Sequence, residues 1–234
     1  MKFNLRVFWI FLPMFWALSD AKPCRADDWP LPVRIFYIPS GAMEPTLQVG
    51  DRMLVDMRVY DSHTPQNGEV AIFKAPTAAL LNSPLASTDI DFVKRVVGTP
   101  GDVVTVVNRQ LFRNGAPVRE PYTRWAEPNL AVEAEMPRYS YDMKVVAGTV
   151  YSREYLGPDE PGPWARNNVI ISHKDQKTVS AAKAGAVPPN QFLMLGDHRN
   201  NSNDSHIWGF APRQSFVGRA LFVFWPLHHL KMMP

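Results

Sequence analysis

The sequence predicts a mostly-β protein, and three observations lead there. Short runs rich in Val, Ile and Phe recur between Gly, Pro, Asn and Asp, the pattern of strands joined by turns. The chain holds 22 prolines and 13 glycines in 234 residues, enough to interrupt any long helical repeat. Amphipathic helical spacing is nearly absent. With 46% hydrophobic residues the chain is no disordered polymer, and it is long enough for one large packed domain or one and a half ordinary ones.

The elements follow in order. Residues 34–38 (RIFYI), 51–56 (DRMLVD), 69–74 (EVAIFK), 92–98 (FVKRVVG) and 102–107 (DVVTVV) read as strands. Residues 109–118 (RQLFRNGAPV) read as a hairpin turning at Asn114-Gly115, a pair suited to a type I′ turn. The stretch 119–188 has few periodic apolar runs and reads as an irregular, surface-rich insertion. QFLMLGD at 191–197 and FVGRALFVFWP at 216–226 resume the strand pattern. The expected organisation is therefore a β core in two sequence blocks, 27–107 and 189–234, with a smaller β-rich domain at 108–188 inserted between them. No internal repeat or low-complexity tract is present.

The N-terminus carries a targeting pattern. Lys2 and Arg6 precede a twelve-residue apolar run at 7–18, VFWIFLPMFWAL, interrupted only by Pro13. The run has the length of a signal-peptide core and falls short of the ~20 residues that span a bilayer. Ser19 with Ala21, and Cys24 with Ala26, each frame a possible cleavage site. Residues 1–26 are thus expected to be either a cleaved signal peptide or a retained membrane anchor. Positive-inside logic puts Lys2 and Arg6 in the cytoplasm and the remainder outside. The expected location is the inner (cytoplasmic) membrane with the main domain facing the periplasm, or an exported soluble form after cleavage.

The net charge of +3 is spread along the chain without a basic stripe, so no nucleic-acid partner is expected. Cys24 is the single cysteine, which excludes an internal disulfide.

Three stretches carry candidate chemistry. In IPSGAMEPTL, residues 38–47, Pro39 and Gly41 flank Ser40 and predict a tight exposed turn after a strand. In DFVKRVVGTPGD, residues 91–102, Lys94 shares a strand face with Phe92 and Val96, while Arg95 faces the other way. Burial on that face would disfavour the charged amine and make it a general base, whereas at a sheet edge the side chain would reach solvent. The third, LGDHRNNSNDSHIWGFAP at 195–212, crowds hydrogen-bonding side chains between two strands; by itself it also fits a solvated turn of Asx interactions.

Together, and in this order, the three stretches resemble the motif boxes of bacterial type I signal peptidases (leader peptidases). That family carries P-S-G-S-M-x-P-T-L, K-R-x-x-G-x-P-G-D and G-D-N-R-x-N-S-x-D-S-R-x-W-G-F. Here PSGAMEPTL stands at 39–47, KRVVGTPGD at 94–102 and GDHRNNSNDSHIWGF at 196–210, and GDRMLV at 50–55 also matches. The resemblance covers roughly 34–107 and 189–226. It implies a serine endopeptidase with a Ser/Lys dyad on a β fold. No metal or cofactor is implied. The implied partners are the signal peptides of exported preproteins, cut after a small residue with another two positions before it, and a membrane lipid surface.

Carried over residue by residue, the resemblance makes Lys94 the general base. Ser40 becomes an oxyanion-hole contributor and Ser202 the residue that orients the lysine. Gly196, Asp197, Asp204 and Met43 fall on supporting positions. His206 stands where the family usually has arginine, and His198 where it often has asparagine. The nucleophile position is Ala42, and a methyl group cannot attack a carbonyl. Two origins fit: an alanine introduced to trap a substrate or prevent self-cleavage, or a naturally inactive chain. Either way the chain as written is expected to be inactive. Ser40 could replace the missing hydroxyl only if the loop were strand-like. The alternatives are a signal-peptide-binding pseudoenzyme, or a specialised processing peptidase of a secretion or conjugation system.

A Ser-His-Asp triad finds little support, because of the six histidines only His198 and His206 lie in a motif, at positions the family uses structurally. His228 and His229 lack further spaced metal ligands and read as part of a flexible polar tail.

Overall fold

The computed structural model describes residues 32–80, 89–126, 140–157 and 159–234. The apolar run at 7–18, its cleavage-site pairs and Trp29 lie outside them. Residues Val33–Pro234 form one compact unit.

The first sheet takes its strands from both blocks. Its early strands are β1 (Val33–Tyr37), β2 (Arg52–Asp56), β3 (Val70–Lys74) and β4 (Asp91–Gly98). Next along the chain comes the second sheet: β5 (Val104–Val107), β6 (Gln110–Arg113), β7 (Ala116–Pro117), β8 (Tyr141–Val146), β9 (Thr149–Gly157), β10 (Glu160–Pro161), β11 (Ala165–Arg166) and β12 (Val169–Ile170). The chain then returns to the first sheet through β13 (Gln191–Leu195), β14 (Ala211–Pro212), β15 (Phe216–Trp225) and β16 (Lys231–Met232). The strand order is β1-β2-β15-β3-β4-β13-β14 with β16 on β15, and β12-β11-β9-β8-β5-β6-β7 with β10 on β9. All these pairings are antiparallel.

Each predicted strand lies within two residues of an observed one. The strand at Val104–Val107, grouped above with the first block, pairs with β6 and β8 in the second sheet. Asn114 (φ 53) and Gly115 (φ 81) both adopt positive φ, as a type I′ hairpin requires. The same device recurs where the sequence reading did not place it, at Asn108 and Arg109 (φ 49 and 64) and at Ala147 and Gly148 (φ 46 and 73). The second of these joins β8 to β9 inside the stretch read as irregular. An arginine and an alanine are poor markers of the left-handed region, so the turns were hidden.

A helix, α3 (His173–Ala181), also lies there, capped by Ser172, whose hydroxyl accepts the Asp175 N–H at 3.2 Å. It buries only Val179, too little to leave a helical stripe in the sequence.

Alternation along β3 shows how the core is laid out. Val70 and Ile72 face one cluster, with Met43, Met53, Val55 and Val223. Ala71 and Phe73 face another, with Val96, Phe192, Met194, Trp208 and Phe216. Both faces of β3 are therefore covered. A third cluster, including Val97, Val104, Val106, Leu111, Met143 and Leu193, draws on strands of both sheets.

Candidate active site

The first motif box leaves β1, passes an exposed Ser40, and enters a 3₁₀ turn at Gly41–Met43. The turn puts Ala42 at the wall of a cleft and sends Met43 into the core at 2% exposure. Because residues 41–43 are helical rather than extended, the strand-like alternation that would let Ser40 take over from position 42 is absent.

β4 supplies Lys94 to the same cleft, which has a volume of about 540 Å³ and is lined by Ser40, Ala42, Ile90, Phe92, Lys94 and Asn203, among others. Lys94 is 6% exposed, and its Nζ lies 5.4 Å from the Phe92 ring centroid. The predicted face shared by Phe92, Lys94 and Val96 thus closes around an amine. Burial pushes that amine below the ordinary lysine range, while the Asp204 and Asp197 carboxylates pull it back up.

The third box packs behind this wall. The His198 N–H donates to the Ala42 carbonyl at 3.1 Å, holding the two boxes together. A side chain at Gly196 would collide with that carbonyl and with the Ser202 side chain, so only glycine permits the approach. Ser202 is 2% exposed, and its buried hydroxyl has no hydrogen-bond partner among the described residues. Asp204, fully buried, accepts the Gly196 N–H at 2.9 Å, the His206 N–H at 3.2 Å and His206 Nδ1 at 2.6 Å. Its own burial pushes its carboxyl up, but His206, the Gly196 N–H and Lys94 together hold it below the usual carboxylate range.

Arg95 is the residue whose importance the sequence concealed. It points away from Lys94, as expected, yet is 1% exposed rather than solvated. Its guanidinium donates to Asp197 Oδ1 at 2.8 Å and Oδ2 at 2.6 Å and to the Gly68 carbonyl at 2.6 Å, and stacks 3.7 Å from the Tyr122 ring centroid. Thr46 of the first box donates to the same Asp197 carboxylate. One buried ion pair therefore ties all three boxes.

The stretch read as surface-rich also reaches the site. The Arg124 N–H donates to the Asp197 carbonyl at 2.7 Å, Arg124 Nη1 reaches Glu44 at 3.2 Å, and Glu120 accepts from buried Arg199 at 2.6 Å. No local pattern announces such contacts; the adjacent motif arginine Arg199 was the available clue.

One further expectation changes. His229 is not part of a flexible tail: Nδ1 lies 2.9 Å from both carboxylate oxygens of Asp51, and β16 pairs with β15. Trp208, within the third box, is a core residue at 3% exposure.

A family model described as "Signal peptidase, peptidase S26" matches residues 31–225. The chain is similar to "Signal peptidase I" of Leptolyngbya laminosa, with 32% identity over 83% of this chain and 70% of that one. It is 33% identical to "Probable signal peptidase I-2" of Synechocystis sp. over 84% of this chain and 65% of the relative. Against "Signal peptidase I" of Pseudomonas fluorescens the identity is 32%, over 86% and 69%. With a match that runs from the start of β1 to the end of β15, and with the motif residues gathered at one cleft, the chain belongs to the signal peptidase family, peptidase S26.

Proposed function

We propose that this chain is built as a signal-peptide endopeptidase of the Ser/Lys type, and that with Ala42 it binds such peptides without cutting them. The observation that carries the reading is the convergence of Ala42 and Lys94 on one cleft, with Ser40 at its rim. Lys94 is the general base, its neutral form favoured by burial. A serine at 42 would lose its proton to Lys94 as its oxygen attacks the scissile carbonyl, and Lys94 would then protonate the leaving amine. Water would release the acyl group by the same base. The Ser40 hydroxyl is proposed to steady the oxyanion. Ser202, a buried hydroxyl that needs a partner, is proposed to aim the amine.

The cleft also suits an extended peptide. Residues 91–94 of β4 pair with β3 on one side, while β13 pairs only from Arg95 onward. Among the described residues, β1 pairs only with β2. Both open edges line the cleft, which supports binding by strand addition. The lining of Ala79, Leu80, Ile90 and Phe92 is apolar and would favour small side chains next to the scissile bond.

We further propose that the domain sits on a membrane surface outside the cytoplasm. Ile35 pairs with Leu54, Leu54 with Phe222 and Phe222 with Met232, giving one apolar row across four strands. Ile35 is 63% and Met232 72% exposed, and Trp225, Leu227 and Leu230 are exposed nearby. The division into a core and an inserted second-sheet domain belongs to the same proposal. Among the described residues no helix is long and apolar enough to cross a membrane.

The test is cleavage of a synthetic signal peptide by this chain and by Ala42→Ser. Cleavage by the serine variant alone supports the reading. Binding without cleavage by either chain favours the pseudoenzyme alternative. Neither binding nor cleavage of general signal peptides, with cleavage of one dedicated substrate, favours a specialised processing peptidase.

A further inference from the structure

Asp204 holds one basic side chain, His206, and acts electrostatically on a second, Lys94. It receives both the backbone N–H and the ring Nδ1 of His206 on a single oxygen, Oδ1, at 3.2 and 2.6 Å, while its other oxygen takes the Gly196 N–H at 2.9 Å. Its field also reaches Lys94. The His206 ring is 4% exposed and lies flat on Tyr141, with centroids 3.9 Å apart and planes 3° apart. The Ser152 hydroxyl donates to the His206 carbonyl at 2.6 Å, so backbone and ring are both fixed. Such a ring cannot swing away when its charge changes.

We propose that His206 is a positioning residue that sets the proton affinity of Lys94 through Asp204. The inference rests on the reading of Lys94 as the base. The Nδ1–H of His206 can donate to Asp204 whether the ring is neutral or charged, so protonation at Nε2 changes the charge and not the hydrogen bond. With the ring charged, the Asp204 carboxylate is offset and exerts less pull on the Lys94 proton. With the ring neutral, Asp204 holds the lysine cation more firmly. Both basic groups thus act on one buried carboxylate, so a charge on one weakens its hold on the other.

The other charges around the ring are fixed by the fold. Tyr141 of β8 faces it, and the charged groups acting on Tyr141 besides Asp204 are Arg199, Glu120 and Glu154. Burial pushes the Tyr141 phenol well above its ordinary range, so it remains neutral. Arg199 is paired with Glu120 at 2.6 Å. Of the elements packed on the short helix Ser205–Trp208, β9 carries Arg153, paired with Asp142 at 2.7 Å, and Glu154, while β13 and the helix Thr77–Leu80 bring no charged side chain. Of the side chains acting on Asp204 among the described residues, His206 and Lys94 are the ones that can carry a positive charge.

The experiment is an NMR titration of the Lys94 side chain in the full chain and in His206→Arg and His206→Asn, with the His206 ring followed in Lys94→Met. A permanent cation should lower the Lys94 midpoint relative to the neutral asparagine by about one pH unit, a tenfold change in neutral amine. Reciprocity requires Lys94→Met to raise the His206 midpoint. In the Ala42→Ser background, the acid limb of the cleavage profile should move with the Lys94 midpoint. Equal Lys94 midpoints in the Arg and Asn variants would overturn the inference, as would an unmoved His206 midpoint in Lys94→Met should either variant fail to fold. Midpoints that move as stated without cleavage by the serine variant support the coupling and count against the proposed activity.

Discussion

Arg95 and Asp197 lie 102 positions apart in sequence and meet as a two-point ion pair, at 2.8 and 2.6 Å, with side chains 2% and 1% exposed. The second contact of the guanidinium plane, the Tyr122 ring, comes from the other sheet's segment. Removing one partner strands a buried charge, which typically costs about 3–5 kcal/mol. Arg95→Met should therefore lower the urea midpoint sharply. Arg95→Lys should recover only part of the loss, because an ammonium cannot make the paired donation. Equal stability of the lysine variant and the parent would show that the pair is not held as described.

Lys94→Met should flatten the pH dependence of stability. The folded amine has a proton affinity below that of an unfolded lysine, near 10.4, so the unfolded chain binds more protons in between. Stability conferred on the parent at high pH should be lost as pH falls through that window and level off below the folded midpoint. The methionine variant lacks this loss and should match or exceed the parent at neutral pH in thermal unfolding. A parent and variant with parallel profiles between pH 7 and 10 would contradict a depressed Lys94.

Gly196→Ala tests the close approach of the first and third boxes. The new methyl would meet the Ala42 carbonyl and the Ser202 side chain, none of which is a flexible chain end. Overpacking of this kind typically costs about 1–3 kcal/mol. In the Ala42→Ser background, cleavage should fall by at least tenfold, since position 42 must shift. A variant with unchanged stability and turnover would mean that the wall can yield.

Asp102 should be a visible contributor to acid sensitivity. Partial burial raises its carboxyl, but donors on Asn67, Thr99 and Asn114 outweigh this and bring it down to about 2. Its stabilising effect is then present above the unfolded carboxylate value, near 3.9, and is lost as pH falls toward 2. Asp102→Asn should destabilise at pH 7 and converge with the parent near pH 2, as followed by thermal unfolding. A difference independent of pH would assign the effect to lost geometry rather than charge.

Membrane association can be tested with residues 27–234, which lack the apolar run. They should float with anionic vesicles, and Trp225→Ser with Leu227→Ser should reduce the bound fraction several-fold. Equal binding of the two forms would move the contact away from the end of β15.

The sequence revealed more of the strands than of the ties between them. Val, Ile and Phe runs locate β1 to β4, β13 and β15; for β3 and β13 the reason is that a covered strand must be apolar on both faces. The motif residues at 40, 42, 94, 196 and 202 were legible through family resemblance, since no local rule distinguishes Ala42 from any turn alanine. Arg95 was read only as facing away from Lys94, because alternation says which way a side chain points, not what waits there. The β8–β9 hairpin was missed because Ala147 occupies a turn position where glycine or asparagine would have signalled. Glu120 and Arg124 fell in the stretch read as surface-rich because polar composition suggests solvent, and only the returning chain shows them to be partners.

The place of β15 between β2 and β3 imposes a timetable on the molecule. A growing chain that has delivered residues 33–98 possesses Ser40, Ala42 and Lys94, yet its two halves of the first sheet have no strand to join them. Asp204 and Ser202, which stand behind the lysine, come more than a hundred residues later. The cleft residues Asn201 and Asn203 are thus made only after the whole second sheet, and the strand that joins the two halves of the first sheet follows later still, at Phe216–Trp225.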